Sequence, residues 1–252
     1  GCSRRRSSGR PIRSTPQALD TLFRQVINMG VKRLCLCDTV GYATPDGTRN
    51  LIEWTIGLIR GMGENIKIDW HGHNDRGLSV TNAIVAIEAG ADRIHGTALG
   101  IGERVGNTQM DQLLMNLKLL KAIDNDLTHL MKYCQLSAKA TGTEIPINYP
   151  LIGRDAFRTA TGVHASAIIK ALEKNDLDLA DSVYSGVPAH LFGKEQEIDI
   201  GHMSGMSNVR YFLKKRNITY TETLAKEILQ TAKNSNRILS EEEVLSIVSQ
   251  FS

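Results

Sequence analysis

The sequence predicts an α/β fold, a parallel sheet of about three strand–helix units followed by a mostly helical region. Three observations predict it. Short apolar runs over 31–39, 66–74 and 91–99 alternate with segments whose apolar residues recur at helical spacing. The intervals suit βαβ units with right-handed crossovers. Beyond about residue 127 the strand signal gives way to helical periodicity interrupted by Pro and Gly. These features divide the 252 residues into an irregular Arg/Ser-rich tail over 1–13, a partial barrel over 14–126 and a helical annex over 127–252.

In chain order, Thr15 before Pro16 supplies a capping hydroxyl and a proline at the first helical position, and Gly30 ends that helix. VKRLCLCDT reads as a strand largely apolar on both faces, as a buried parallel strand should be. Thr44-Pro45 opens a helix running to about Gly61. The strand IKIDWHGHN follows, then a helix to Gly90, the strand ADRIHGTAL, the glycine-rich turn GLGIGERVGN and a leucine-rich helix from near Asn107. A helix from Leu127 to about Thr141 leads into an extended, proline-marked linker ending at Pro150. Helical periodicity returns over 165–172, the segment 184–205 is loop-rich, and two helices close the chain, the second capped by Ser240. Three such units cannot close an eight-stranded barrel, so the expectation is the C-terminal part of a β/α barrel with roughly its first half missing from this chain.

Composition removes several function classes. With 41% hydrophobic residues and no long apolar run, the chain has enough material for a core and no membrane-spanning candidate. Arg4, Arg5, Arg6, Arg10 and Arg13 precede every acid, and setting these five aside turns the formal +3 into −2, which excludes a basic nucleic-acid binder. The tail has transit-peptide composition, and a chain starting at Gly1 reads as a fragment. The four cysteines, Cys2, Cys35, Cys37 and Cys134, complete no zinc pattern, so free thiols in a reducing compartment are expected, the cytoplasm first and an organelle as the alternative.

The chemistry gathers at strand ends. A two-residue period places Ile66, Ile68 and Trp70 on one face of the second strand and Asp69, His71 and His73 on the other. Two neutral imidazoles at i, i+2 can reach one divalent ion, though H-x-H also occurs as a solubilising strand end. Asp38-Thr39, His71-Gly72-His73 and the loop 100–107 all fall at C-terminal strand ends, the rim where β/α folds place ligand-binding groups.

Three stretches then identify a relative. LCDTVGYATP (36–45), HGHNDRGL (71–78) and GIGERVGN (100–107), in this order and spacing, resemble the 2-isopropylmalate synthase family with its homocitrate and citramalate synthase relatives. That family sits within a wider group of metal-dependent TIM-barrel enzymes that includes hydroxymethylglutaryl-CoA lyase. RDAFRTATGVHASAIIK (154–170) and GHMSG (201–205) resemble divergent forms of its linking subdomains. The resemblance implies a divalent metal (magnesium, manganese or zinc) held by His71, His73 and Asn107, with a further aspartate from a D-G-x-R-[DE] strand that this sequence lacks. It implies that Thr39 binds the carboxylate of a 2-oxoacid and that Glu103, beside Arg104, lies in the loop next to the metal as a catalytic candidate. It also implies acetyl-CoA as co-substrate, and a homodimer in which a histidine and a tyrosine of the partner's linking subdomain assist catalysis. His164 and Tyr184 match those two.

Each residue has a structural alternative. Asn107 can cap the next helix, Thr39 can satisfy a strand end, His164 can be a surface residue and Tyr184 can simply pack. His95 reads as a core or supporting residue, and His129, His190 and His202 as structural. The glycines of GLGIGERVG fit neither a dinucleotide fingerprint nor a P-loop. The leading expectation is condensation of acetyl-CoA with a 2-oxoacid, 2-oxoisovalerate first, with no nucleic-acid or membrane partner. The alternatives are citramalate or homocitrate synthesis, a related lyase, a metal-dependent hydrolase, or a polypeptide inactive alone because its strand edges and apolar faces need cover.

Overall fold

A computed structural model describes residues 14–251, so the tail expected over 1–13 lies outside the described residues. The described residues divide into two units, one of residues 14–125 with 132–144, the other of 126–131 with 145–251.

In the first unit, helix α1 (Pro16–Asn28) precedes β1 (Arg33–Asp38), α2 (Pro45–Gly61), β2 (Lys67–Gly72), α3 (Ser79–Glu88), β3 (Arg93–His95) and α4 (Met110–Leu119), with α5 (Leu130–Thr141) following. The caps are those the sequence predicts: Thr15 Oγ1 accepts from Ala18 N at 3.2 Å and Thr44 Oγ1 from Gly47 N at 3.1 Å, each with proline next in the chain. Helix α4 starts three residues later than expected because Thr97 and Thr108 are tied together instead: Thr97 N donates to Thr108 O at 3.0 Å and Met110 N to Thr97 O at 2.9 Å. The three strands form one parallel sheet in the order β1-β2-β3, with Cys35 opposite Asp69, Cys37 opposite His71 and His71 opposite His95.

Alternation along these strands separates two environments. Leu34, Leu36, Ile68 and Trp70 point to the helices and join Leu19, Phe23, Ile52, Ile59, Ala83 and Leu113 in one core, where Leu36 and Trp70 are fully buried. Removing a side chain of this size from water contributes about 1.5–3 kcal/mol. The opposite face carries Arg33, Cys35, Cys37, Asp69, His71, Arg93 and His95, a polar surface on strands whose other side is oil. Asp69 is its hub. Arg33 Nε donates to Asp69 Oδ1 at 2.9 Å, Arg93 Nη2 lies 3.2 Å from Oδ2, and His95 Nε2 lies 3.4 Å from the same oxygen. Burial opposes ionisation of Asp69, but the hydrogen bonds from the two arginines outweigh it and hold the carboxyl below its usual range.

The second unit is mostly helical: α6 (Gly162–Glu173), α7 (Leu177–Ser182), α8 (Met206–Lys215), α9 (Glu222–Asn234) and α10 (Glu241–Ser249). It also holds a pair of two-residue parallel strands, β4 (Arg158–Thr159) and β5 (Glu197–Ile198), too short for any period to reveal in the sequence. Three helices rather than two follow residue 205. The start of α8 is hidden because Gly205 provides no capping side chain; Asn208 reaches back instead, its Oδ1 accepting from Gly205 N at 3.1 Å. Val209, Leu213, Ala225, Ile228 and Val244 close the core of α8, α9 and α10. Ser240 and Glu243 cap α10 reciprocally, as expected. Among the described residues no helix is long and apolar enough to cross a membrane.

The Asp69 hub sets an acid sensitivity. A carboxyl whose folded pKa is lowered contributes stability that is complete above its unfolded pKa and is lost as the pH falls through the folded value. Asp69→Asn is expected to lower stability by about 1–2 kcal/mol at pH 7, below the cost at a fully buried pair because Arg93 is half exposed and screened. Urea midpoints at pH 7 and pH 3 check this: the gap between wild type and variant shrinks at the lower pH.

Candidate metal and substrate site

The site is assembled where β2 runs out. His71 and His73 straddle Gly72, and their ring centroids lie 5.1 Å apart with the planes at 88°. The glycine-rich loop then returns to this strand end. His73 and Asn107 form an antiparallel bridge, Asn74 N donates to Gly106 O at 3.1 Å and Thr108 N donates to Gly72 O at 3.1 Å. A tight fold makes this return possible: Gly106 has φ +91, and a Cβ there would run into the carbonyl of Gly100. The same fold carries Asn107 N to within 2.8 Å of Gly100 O.

Three features make this strand end suitable for a cation. The Oδ1 of Asn107 is buried and has no hydrogen-bond partner among the described residues, while its Nδ2 donates to Ile101 O at 3.2 Å. A buried acceptor left open is costly unless something fills its lone pairs. His73 Nδ1 lies 3.2 Å from Gly106 O, which as an N–H donor leaves Nε2 with a free lone pair. Burial, with His73 and His95 close by, lowers the pKa of His71, so it is a neutral donor at physiological pH. Asn107 caps no helix, since α4 takes Gln109 as its N-cap. Among the described residues no group of three His, Cys, Asp or Glu side chains could hold a metal, so the donors present are two imidazoles and one amide oxygen.

Asp75 and Arg104 clamp the loop. Arg104 Nε donates to Asp75 Oδ1 at 3.0 Å, and Nη2 donates to Asp75 Oδ2 at 3.1 Å and to Thr39 O at 2.8 Å. Arg104 adopts φ +59, a conformation costly to any residue that carries a Cβ, so the two-pronged bond holds it in place. Those bonds also keep Asp75 below the usual carboxylate range. Thr39 thus stands at the end of β1, next to the clamp, and its neighbour Asp38 is fully buried, with its carboxylate accepting from Tyr42 N and Ala43 N at 2.9 Å each. Asn74 turns out to be structural: its Oδ1 accepts from Ser79 N at 3.2 Å and Ser79 Oγ at 2.8 Å, doing the capping work that Leu78 cannot do for α3.

His71, His73, Asn107 and Thr39 are therefore brought to one rim. Glu103 is on the same loop but extends into solvent, 3.6 Å from Arg104 Nη1. His95 is half exposed beside His71, at 5.8 Å between ring centroids, and not in the core. In the second unit, His164 and Tyr184 are brought together as a stacked pair, 3.9 Å between centroids at 26°. His164 lies on the first turn of α6 and Tyr184 just beyond α7. His190 is held by Asp181, Nδ1 to Oδ2 at 2.6 Å. Sequence reasoning missed the Asp75–Arg104 clamp and the Asp69 hub, although opposite charges inside two of the quoted motifs were the available signal for the first.

A family model described as HMGL-like matches residues 5–139, more than half of the chain. The chain belongs to the HMGL-like family. This HMGL-like chain is 34% identical to a 2-isopropylmalate synthase of Halothermothrix orenii, over 81% of its own length and 39% of that protein. It is 30% identical to a provisional (R)-citramalate synthase of Methanosarcina acetivorans, over 88% of its length and 43% of the relative. A hydroxymethylglutaryl-CoA lyase structure from Pseudomonas aeruginosa aligns at 22% identity and a TM-score of 0.45, covering 52% of this chain and 44% of that one. The chain thus spans about two fifths of the length of the curated relatives it matches.

If the clamp positions the loop, Asp75→Asn frees it. Hydrogen exchange at the Gly106, Asn107 and Thr108 amides is expected to accelerate in that variant and not in Glu103→Gln, while the amides of β1 and β2 keep their protection.

Proposed function

We propose that this chain supplies the C-terminal part of the catalytic region, with linking subdomains over 127–252, of an acyltransferase that condenses acetyl-CoA with a 2-oxoacid. 2-Oxoisovalerate, giving 2-isopropylmalate in leucine biosynthesis, is the leading substrate. The observation that carries the reading is the buried, unpartnered Oδ1 of Asn107, a residue whose backbone is bridged to that of His73, together with a neutral His71 whose ring lies against that of His73. His71, His73 and Asn107 would hold a divalent magnesium, manganese or zinc ion. When bound, that ion supplies positive charge that polarises the 2-oxoacid carbonyl.

The chain's own residues do the rest. The Thr39 hydroxyl donates to the 2-oxoacid carboxylate, beside a backbone carbonyl already taken by Arg104. His164 takes a proton from the methyl group of acetyl-CoA, and the Tyr184 hydroxyl donates to the enolate oxygen that results. The enolate carbon forms a bond to the keto carbon, whose oxygen gains a proton, and water then cleaves the thioester to release CoA thiol. Stacking holds the two rings in contact, so both side chains are presented together. Glu103, a solvent-exposed carboxylate beside the loop clamp, is the remaining acid–base candidate. His164 and Tyr184 would act on the site of a second subunit, making a homodimer the working form. The free thiols of Cys35, Cys37 and Cys134 support the cytoplasm as its compartment.

Citramalate synthesis is the second reading, since a provisional (R)-citramalate synthase of Methanothermobacter thermautotrophicus is 35% identical over 64% of this chain and 32% of that protein. The two separate by substrate. In a polypeptide that also carries a D-G-x-R-[DE] strand, CoA thiol release should require a divalent metal and should be faster with 2-oxoisovalerate than with pyruvate. The reverse preference selects citramalate synthesis, and turnover that survives exhaustive chelation sinks both.

Two further outcomes are expected. Calorimetry should show stoichiometric manganese binding by the wild-type chain and none by His71→Ala or His73→Ala. His164→Ala lowers kcat by roughly 10²–10⁴-fold, the usual range for a lost acid–base group, while metal binding stays intact.

A further inference from the structure

On the polar face of the sheet, Cys35 and Cys37 project side by side from β1, with Sγ atoms 3.6 Å apart. His95 Nδ1 lies 4.0 Å from Cys35 Sγ. The period of two that buries Leu34 and Leu36 turns both thiols outward, and Cys35 is exposed. Nothing in the proposed reaction uses them. Two sulfurs in van der Waals contact on a rigid strand are preorganised to bond one atom together, because the second bond closes without further ordering of the chain. Zinc is a poor occupant: it wants four donors, and among the described residues no third His, Cys, Asp or Glu completes a cage.

We propose that Cys35 and Cys37 form a vicinal dithiol clamp for a soft centre that bonds two sulfurs, of which trivalent arsenicals are the chemical class. The step balances without redox chemistry. Phenylarsonous acid, the hydrate of phenylarsine oxide, loses its two As–OH groups as water with the two thiol protons. Two S–As bonds form and arsenic stays trivalent. Desolvation, with Cys37 alongside, pushes the Cys35 thiol up to about 12, which leaves it a poor thiolate for one-at-a-time alkylation or peroxide oxidation. Chelation across both sulfurs is the chemistry this leaves open. Cys37 is paired in register with His71, so an occupied clamp sits one strand away from the imidazole pair. The clamp itself is independent of what that pair binds.

Phenylarsine oxide added to the reduced chain tests it by mass spectrometry. One arsenical less one water is expected per chain, located on the tryptic peptide 34–49, which contains Cys35 and Cys37 and no other cysteine. The adduct should resist excess monothiol, yield to a dithiol such as 2,3-dimercaptopropanol, and vanish in Cys35→Ser and in Cys37→Ser while persisting in the Cys2→Ser/Cys134→Ser double variant. Because the peptide assignment is made on wild-type protein, poor folding of a variant does not rescue the proposal. No adduct, an adduct located on Cys2 or Cys134, removal by monothiol, or survival in either single variant overturns it.

Discussion

The candidate site depends on the return of the glycine-rich loop onto the end of β2. The Gly106 carbonyl accepts from the amide of Asn74 and sits against the ring nitrogen of His73, and the Thr108 amide donates to Gly72. These contacts place the Asn107 amide beside an imidazole that lies 34 residues earlier in the chain. Glycine is required at 106 because the backbone passes too close to Gly100 for any side chain. The strained Arg104 is tolerated because Asp75 and the Thr39 carbonyl hold its guanidinium from two sides. A loop pinned by main-chain bonds is a better support for ligands than one held by side-chain packing, since its donors stay fixed when the site is empty.

One alternation serves both stability and chemistry. The residues of β1 and β2 that face the helices build the core, and their immediate neighbours build a polar face of carboxylate, arginine, imidazole and thiol. Shifting either strand by one residue would bury Asp69 and His71 among leucines and expose Trp70, so the hydrophobic core fixes the register that aligns His71 with Cys37 and His95. Asp69 pairs with both arginines of this face and also lies beside His95, so the buried carboxylate is compensated while the arginines keep one side to solvent. The second unit brings its two candidate residues together through a different device. Helices α6 and α7 carry His164 and Tyr184 into ring-to-ring contact, an arrangement set by the packing of Ala165, Ile168 and Ala180 in the core beneath them.

Where local chemistry was strong, the fold could be read directly. Thr15-Pro16, Thr44-Pro45 and Ser240 through Glu243 announce helix starts because capping acts over three or four residues. Where the stabilising partner is distant, the reading failed. The delayed start of α4 reflects bonds from Thr97 to Thr108 and Met110, and α8 begins at a glycine whose cap is supplied by Asn208. The two-residue strands β4 and β5 exist only because they find each other across about 40 residues.

The sequence by itself determined the parallel strand–helix order, the face on which His71 lies, and the family, because period, punctuation and motif spacing are local and survive without coordinates. Only the tertiary structure decided that Asn107 leaves a buried oxygen open instead of capping a helix, that Asn74 caps α3, and that Asp75 and Arg104 lock the loop. It alone decided that Cys35 and Cys37 meet beside His95. Each of these follows from contacts between residues far apart in the chain or from rotamers set by packing, and neither is encoded in the local pattern of residues.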